Sequence, residues 1–284
     1  MRIALPRVEN LGLTGESHLD AVAALVEHVA SDGDVDLVVL PELSVTGYPT
    51  YRDLDEDRAR VAAVSERADT GTAAMRFRVL AAALDVSVVY GMSERANRRV
   101  YNSLVHVDPS GTLSTYRKVH LTAAEAQLWD AGDRARVVRT TAGDSIGLAA
   151  CHDKTFPVLF KRLREFGAEI AVVSSAWSSF PGNDDVTGDV WAEQSELFDR
   201  ARAAETGMIV VSTNYAGPKS PGSADRFCDG RRVVDGLGRL LTPIAHAGGA
   251  PVWQVDAAQS RRGFEAVHDG DFFTRDRRRI RRSI

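Results

Sequence analysis

Three segments of the chain each place a reactive side chain at or beside the end of a short apolar stretch. Cys151 closes the run IGLAAC, Glu42 follows LVVLP, and Lys118 follows TLSTYR. Each segment then continues into turn-forming residues. A thiol, a carboxylate and an amine placed in this way can act as a nucleophile, a general base and an oxyanion stabiliser. The three segments therefore predict an enzyme that cleaves an amide or a nitrile.

The composition is that of a globular protein with no sign of a macromolecular partner. The chain has 284 residues, 44% of them apolar, and a formal charge of −4, so it can bury a sizeable core and predicts binding to neither nucleic acid nor a membrane. No apolar run reaches the length of a membrane span or a signal-peptide core. Cys151 and Cys228 have neither disulfide-framework nor metal-ligand spacing. We expect a cytoplasmic protein with a free thiol and no metal.

Strand-like and helix-like segments alternate along the chain. Several strand candidates are nearly continuous apolar runs, as expected for strands buried on both faces. The strand candidates are residues 2–8, 37–42, 86–92, 101–107, 113–119, 145–151, 170–175, 208–214, 231–235 and 252–255. The helix candidates are residues 18–30, 73–84, 157–166 and 191–205. This alternation predicts an α/β fold with helices covering the sheet.

Turn signals mark the ends of these elements, and no linker divides the chain. The sequences DPSG (108–111) and DGLGR (235–239) predict hairpin turns, and Gly167 and Gly207 predict helix ends. Without a repeat or a low-complexity tract, residues 1–284 are expected to form a single domain. Residues 273–284 are rich in arginine, and they are either a solvated tail or an arm that binds a partner.

The three motifs resemble those of the nitrilase superfamily of carbon–nitrogen hydrolases. PELSVTGYP is similar to the family's Glu segment, YRKVHL to its Lys segment and LAACHDKTFP to its Cys segment, in the family's order. The resemblance implies a four-layer αββα sandwich, with Cys151 as the nucleophile, Glu42 as the base and Lys118 as the oxyanion stabiliser. It implies no cofactor. It also implies a homodimer or a higher assembly, formed through the helices 157–166 and 191–205 and the C-terminal tail.

Four further residues are candidates for the site. In amidase members of the family a second Glu follows the Lys, and Glu125 lies seven residues after Lys118. It is expected to position the substrate or relay a proton, and the alternative is an exposed helix carboxylate. Tyr48 in the Glu segment, His152 beside the nucleophile and Trp177 in SSAW are expected to bind the substrate.

The predicted mechanism follows from the chemistry of these groups. The ammonium of Lys118 and the backbone N–H groups after Cys151 are expected to favour the thiolate. Glu42 takes the thiol proton during attack on the amide carbon and passes it to the departing ammonia or amine. Lys118 and the N–H of His152 hold the oxyanion. Water, activated by Glu42, then hydrolyses the thioester.

The residues after the nucleophile indicate the substrate class. Asp153 and the Phe156–Pro157 pair match amidase members, which favours a small amide or an N-carbamoyl compound. Nitrile-cleaving members usually have Trp-Glu after the nucleophile, which this chain lacks. Thr155 and Val158 replace a frequent Arg and Glu, so a preference for ω-amido acids is not carried over.

Several alternatives remain open. A nitrilase would use the same three residues, and a catalytically silent binding scaffold would need none of them. A glutaminase that feeds a synthetase would need a separate ATP-using partner, because the chain has no phosphate-binding glycine-rich loop. Asp184, Asp185 and Asp189 either meet a cationic substrate or form an acidic surface loop. His120 is expected to make a structural hydrogen bond, and Cys228 to lie in the core or a loop.

Overall fold

Thirteen strands and six helices make up the part of the chain that the structure describes. The computed structural model describes residues 1–180 and 188–268. The strands are β1 (Arg2–Ala4), β2 (Leu37–Val39), β3 (Ser87–Ala96), β4 (Arg99–Val107), β5 (Leu113–Arg117), β6 (Arg136–Arg139), β7 (Ser145–Ala150), β8 (Ile170–Ser175), β9 (Ile209–Asn214), β10 (Arg232–Val234), β11 (Leu240–Leu241), β12 (Ala245–Ala247) and β13 (Ala250–Gln254). The helices are α1 (Glu16–Asp32), α2 (Leu54–Val64), α3 (Thr72–Leu84), α4 (Pro157–Glu165), α5 (Val190–Thr206) and α6 (Ala257–His268).

The strands form two sheets that pack face to face. One sheet has the order β12-β13-β1-β2-β3-β4-β5, and the other has the order β11-β10-β9-β8-β7-β6. In β2, Leu37 and Val39 belong to the core between the sheets, whereas Val38 faces the opposite side, where α1 and α3 pack. This alternation follows from the two-residue period of a strand.

The second sheet is covered by α4 and α5. A Cβ at Gly147 of β7 would lie 3.0 Å from the side chain of Leu163, so this face of β7 touches α4. Ile146 and Leu148 therefore face the first sheet, where they join the core. The layers run helix, sheet, sheet, helix, and the predicted four-layer αββα sandwich in a single domain is confirmed.

Parallel pairing in each sheet brings strand ends together. β1, β2 and β3 pair in parallel in the first sheet, and β7, β8 and β9 pair in parallel in the second. The carboxyl ends of parallel strands lie at one edge of a sheet, where ligands commonly bind in α/β proteins. Glu42 follows β2, Cys151 follows β7 and Trp177 follows β8.

Some elements differ from the sequence-based prediction. β1 ends at Ala4 rather than residue 8, because Pro6 has no N–H to extend the ladder. Only Asp57 and Val61 are buried in α2, so that helix lacks the apolar stripe by which helices are predicted. α6 was also missed, and β6, β11 and β12 are short edge strands. Among the helices within residues 1–180 and 188–268, none has the length and apolar character that a bilayer crossing needs.

Candidate active site

Glu42 lies in a tight turn that follows β2. The next residue, Leu43, has φ of 53°, in the left-handed region. Gly91 of β3 lies directly against this turn, and a Cβ there would be 2.2 Å from the backbone nitrogen of Leu43. Glycine at position 91 therefore lets β3 approach closely enough to fix the backbone of the Glu42 turn.

The carboxylate of Glu42 accepts hydrogen bonds from both sheets. Its Oε1 accepts from Asn102 Nδ2 at 2.7 Å and from Lys118 Nζ at 2.7 Å. Its Oε2 accepts from the backbone nitrogen of Ala176, just after β8, at 3.0 Å. Complete burial raises the pKa of Glu42 from its usual 4.5, and the lowering by Lys118 does not reverse this. Glu42 is thus a carboxylate with increased proton affinity.

Lys118 extends β5 by one residue, and its side chain points between the sheets. Its Nζ lies 2.7 Å from Glu42 Oε1 and 2.6 Å from Glu125 Oε1, and the side chain is buried. Burial alone would lower the pKa of Lys118, but the carboxylates of Glu125 and Glu42 raise it well above 10.5. Lys118 is therefore a buried cation held by two carboxylates, and not a solvated hairpin residue.

Glu125 begins a short 3₁₀ turn, Glu125–Gln127, and is buried. Besides Lys118, it accepts a hydrogen bond from the backbone nitrogen of Thr122 at 2.8 Å and one from the hydroxyl of Tyr48 at 3.5 Å. Burial would raise the pKa of Glu125, but Lys118 and Thr122 lower it overall. The alternative of an exposed helix carboxylate is wrong, and Tyr48 lies beside the same carboxylate.

Cys151 follows β7 at the first position of a 3₁₀ turn, Cys151–Thr155, that leads into α4. Its φ is 43°, which is unusual for a residue with a side chain. A strained strand-to-helix turn of this kind also presents the nucleophile in other hydrolases. The residue is 7% exposed. Its sulfur lies close enough to the charged groups of Glu42, Lys118 and Glu125 for each of them to shift its pKa.

The sulfur of Cys151 is in an environment that favours the neutral thiol. Burial and the carboxylate of Glu42 raise its pKa well above 9.0, and this outweighs the lowering by Lys118 and the Ala176 N–H. Lys118 favours the thiolate as expected, but burial and Glu42 outweigh it, so the net shift is towards the neutral thiol. A thiol in this environment would need a base to accept its proton before the sulfur could act as a nucleophile.

Asp153 fastens the Cys151 turn to the end of β5. Its buried carboxylate accepts hydrogen bonds from Ala150 N at 2.9 Å and from the hydroxyl of Tyr116 at 2.6 Å. It also accepts from the backbone nitrogen of His120 at 2.9 Å and lies 2.8 Å from the ring Nδ1 of that residue. Tyr116 and His120 flank Lys118, so Asp153 sets the nucleophile turn against the segment that carries the cation. His120 makes the expected structural hydrogen bond.

His152 directly follows Cys151, and Trp177 follows β8. The half-buried ring of His152 packs edge-on against Phe156, with centroids 5.3 Å apart. Burial and the Lys118 ammonium lower its pKa from 6.5, so the ring is neutral at pH 7. Trp177 is anchored, because its Nε1 donates to Trp191 O at 2.9 Å. The substrate-binding roles of Tyr48, His152 and Trp177 stay predictions.

The remaining acidic and thiol candidates have structural surroundings or lie outside the description. Asp184 and Asp185 fall outside the described residues. Asp189 is 1% exposed and caps α5, where its carboxylate accepts from the backbone nitrogens of Trp191 and Ala192. Cys228 is buried, and its sulfur lies 3.1 Å from an amide nitrogen, Asn214 Nδ2. Within residues 1–180 and 188–268, no group of three or more His, Cys, Asp or Glu side chains could hold a metal ion.

Sequence reasoning missed two groups at the site, Asn102 and the backbone of Ala176. Asn102 lies in β4, and its carbonyl accepts from the backbone nitrogen of Lys118 at 2.8 Å. Because neighbouring residues on paired strands share a face, Asn102 points inward with Lys118. The pairing of two predicted strands could have indicated Asn102, whereas contact with Ala176 depends on how the two sheets stack.

The chain matches a known protein family and several relatives. The family model "Carbon-nitrogen hydrolase" matches residues 11–242. An (R)-stereoselective amidase from a Pseudomonas species is 30% identical over 272 residues, covering 95% of this chain and 91% of its own. A bromoxynil-specific nitrilase from Klebsiella pneumoniae subsp. ozaenae is 26% identical over 254 residues, covering 85% of this chain and 70% of its own.

A solved structure shows the same fold. A CN-hydrolase superfamily protein from Xanthomonas campestris matches with a TM-score of 0.76 and 24% identity, covering 95% of this chain and 97% of its own. The predicted resemblance to the nitrilase superfamily is thereby confirmed, as is the prediction of an enzyme that hydrolyses carbon–nitrogen bonds. The chain belongs to the carbon–nitrogen hydrolase family.

Proposed function

We propose that this protein hydrolyses a small linear amide or N-carbamoyl compound through a thioester on Cys151. One observation carries the proposal. Three separate segments bring a thiol, a carboxylate and an ammonium into one buried cluster, in which Glu42 bonds Lys118 at 2.7 Å and the charges of both groups act on the Cys151 sulfur. A binding scaffold has no need of this costly burial of charge.

The first half of the reaction forms the thioester. The sulfur of Cys151 attacks the amide carbon while Glu42 accepts the thiol proton. The raised pKa values of both groups fit this role, since the sulfur keeps its proton until attack and the carboxylate has the affinity to receive it. The carbon–nitrogen bond then breaks, and Glu42 returns the proton to the departing ammonia or amine.

Lys118 stabilises the charge that develops on the substrate oxygen. Its ammonium is already held by Glu42 and Glu125, so it needs no reorganisation when the oxyanion forms. One donor of this kind is worth about 10²–10³ in rate. The backbone N–H of His152 is the second donor in this proposal.

The second half of the reaction hydrolyses the thioester. Glu42 accepts a proton from water as the water attacks the acyl carbon, and the returning proton regenerates the Cys151 thiol as the acid leaves. Glu125 keeps Lys118 charged throughout, since its carboxylate raises the pKa of that ammonium. Tyr48 donates to the same carboxylate and lies where a substrate amide would be positioned.

Amides are favoured over nitriles by the residues that follow the nucleophile. Asp153, which matches amidase members in sequence, fixes the turn by accepting from Ala150, Tyr116 and His120. The amidase relative matches over nearly the whole chain, and this supports the same choice. Nitrile hydrolysis by the same three residues is the second candidate, because nitrilases also occur among the relatives.

A homodimer or a higher assembly is part of the proposal. α4, the residue after it and α5 carry large apolar side chains that a single chain leaves exposed, among them Val158 at 66%, Phe166 at 62% and Leu197 at 63%. Such residues are typical of a surface that packs against another protein. The C-terminal tail, also expected at this interface, lies outside the described residues. Because both cysteines are free thiols, we propose a reducing, cytoplasmic location.

The test is ammonia release from a panel of primary amides, N-carbamoyl amines and nitriles. Release from an amide or a carbamoyl compound is expected, and it should vanish in Cys151→Ala. Release from nitriles alone would replace the amidase assignment with the nitrilase one. Silence on the whole panel, together with a Cys151 that does not react with iodoacetamide, would favour the scaffold.

A further inference from the structure

Lys154 is a second buried lysine close to the nucleophile, and the mechanism above does not use it. It lies three residues after Cys151 in the same 3₁₀ turn, and only 1% of its surface is exposed. Its Nζ donates to Ser195 Oγ at 2.6 Å and lies 3.2 Å from Asp199 Oδ1. An ammonium is buried only where its charge and donors are satisfied, and here α5 supplies both partners.

Asp199 is shared between two cations. Its fully buried carboxylate bonds Lys154 and also Arg232 of β10, whose Nη1 lies 2.7 Å from Oδ2. The cluster thus joins three elements, the Cys151 turn, α5 and the second sheet. Removing either cation leaves the other to neutralise Asp199, so neither substitution creates an unpaired buried carboxylate.

Lys154 and Arg232 connect Asp199 to different parts of the fold. Lys154 belongs to the nucleophile turn, and its carbonyl also accepts from Arg202 Nε of α5 at 3.0 Å. Its Nζ lies 4.9 Å from the centroid of the Trp177 ring, within the range of a cation–π contact. Arg232 lies on β10, which β9 and β8 separate from β7 in the sheet, and it is remote in sequence from Cys151.

We propose that Lys154 is a positioning residue, which fixes the Cys151 turn and the Trp177 ring against α5 through Ser195 and Asp199. Cys151 has a positive φ, and Lys154 lies three residues later in the same short turn. A tether three residues downstream therefore sets where the sulfur and the His152 N–H point. The catalytic consequence rests on the proposed thioester mechanism, whereas the reactivity of the sulfur does not.

The experiment compares Lys154→Met with Arg232→Met as a matched control. Both remove one cation from Asp199 and keep much of the side-chain volume. The rate of Cys151 alkylation by iodoacetamide is followed by mass spectrometry at fixed pH, and thermal unfolding is measured beside it. Lys154→Met is expected to slow alkylation by an order of magnitude or more, since a displacement of about 1 Å can cost on the order of 10² in rate. Arg232→Met is expected to alkylate within about threefold of the wild type.

The kcat of each variant on the amide identified by the substrate panel provides a second measurement. Lys154→Met should lower kcat in proportion to the alkylation rate, and Lys154→Arg should recover part of both. If Lys154→Met does not unfold cooperatively, Ser195→Ala is used instead. It removes the 2.6 Å hydrogen bond from Lys154 and the longer one from Arg232 at 3.4 Å, and it should slow alkylation about two- to tenfold.

Two results would overturn the inference. One is alkylation of Lys154→Met, or of Ser195→Ala where that variant is used instead, at the wild-type rate. The other is an equal loss in Lys154→Met and Arg232→Met, which would make the cluster a source of stability alone. Because alkylation needs no substrate, a failure of the amidase proposal leaves this comparison intact.

Discussion

Replacing Asn102 with leucine should displace the acid limb of the pH–rate profile towards higher pH. Asn102 Nδ2 donates to Glu42 Oε1 at 2.7 Å, and this bond favours the ionised carboxylate. Leucine has a similar volume and no donor. The ionised form of Glu42 then loses a partner, whereas the protonated form loses little. The pKa of Glu42 therefore rises further above its usual 4.5, and the base is ionised only at higher pH.

The size of the effect follows from the buried, charged acceptor. A hydrogen bond to a charged group is worth about 1.5–3 kcal/mol, and one pKa unit corresponds to about 1.4 kcal/mol. The acid limb of kcat/KM, which reports the free enzyme, should then move up by about one to two pH units. At a pH below the acid limbs of both the wild type and Asn102→Leu, kcat/KM of the variant should be about 10- to 100-fold lower than that of the wild type.

Ser103 provides the control on the same strand. Its hydroxyl donates to Glu94 at 2.7 Å, a buried carboxylate on the opposite face of the first sheet, outside the site. Ser103→Ala therefore also removes a buried hydrogen bond to a carboxylate, but should leave the acid limb in place. The assay is kcat/KM against pH for both variants and the wild type. An unmoved acid limb in Asn102→Leu, or equal movement in both variants, would refute Glu42 as the base.

Three other substitutions have definite expected results. Glu125→Gln removes the carboxylate that raises the pKa of Lys118 and of Glu42. The acid limb of the pH–rate profile, set by Glu42, and the basic limb, set by Lys118, should therefore both move to lower pH. An unchanged basic limb would count against Lys118. Asp153→Asn weakens a buried acceptor of four hydrogen bonds and should lower the free energy of unfolding by about 3 kcal/mol in urea titrations; a loss below about 0.5 kcal/mol would contradict this. Gly91→Ala places a Cβ 2.2 Å from the backbone nitrogen of Leu43. It should lower the free energy of unfolding by about 1–3 kcal/mol, also measured in urea. A variant as stable as the wild type would show that the close approach of β3 is not needed.

The catalytic candidates could be predicted because each follows an apolar strand. Glu42 follows β2 in the first sheet and Cys151 follows β7 in the second, so their proximity depends on how the two sheets stack. Hairpins at residues 108–111 and 235–239 and the helix end at Gly207 were predictable from turn chemistry, and the structure has them there.

The parts that were missed depend on long-range packing. Burial is the largest cause of the raised pKa of Cys151. A sequence motif indicates the charged neighbours of the sulfur but not how deeply it is buried. Asp189 could not be predicted to cap α5 without knowing where that helix begins. α2 buries only Asp57 and Val61, so its pattern carries no apolar stripe.

The most direct test of the mechanism is the mass of the enzyme during turnover. The protein is mixed with the amide that it hydrolyses, quenched in acid within one turnover, and measured as an intact chain and after digestion. The account predicts an added mass equal to the acyl group, on the peptide that contains Cys151. Cys151→Ala should show neither this adduct nor product. Turnover without an adduct in the wild type, combined with activity in Cys151→Ala, would contradict the thioester mechanism.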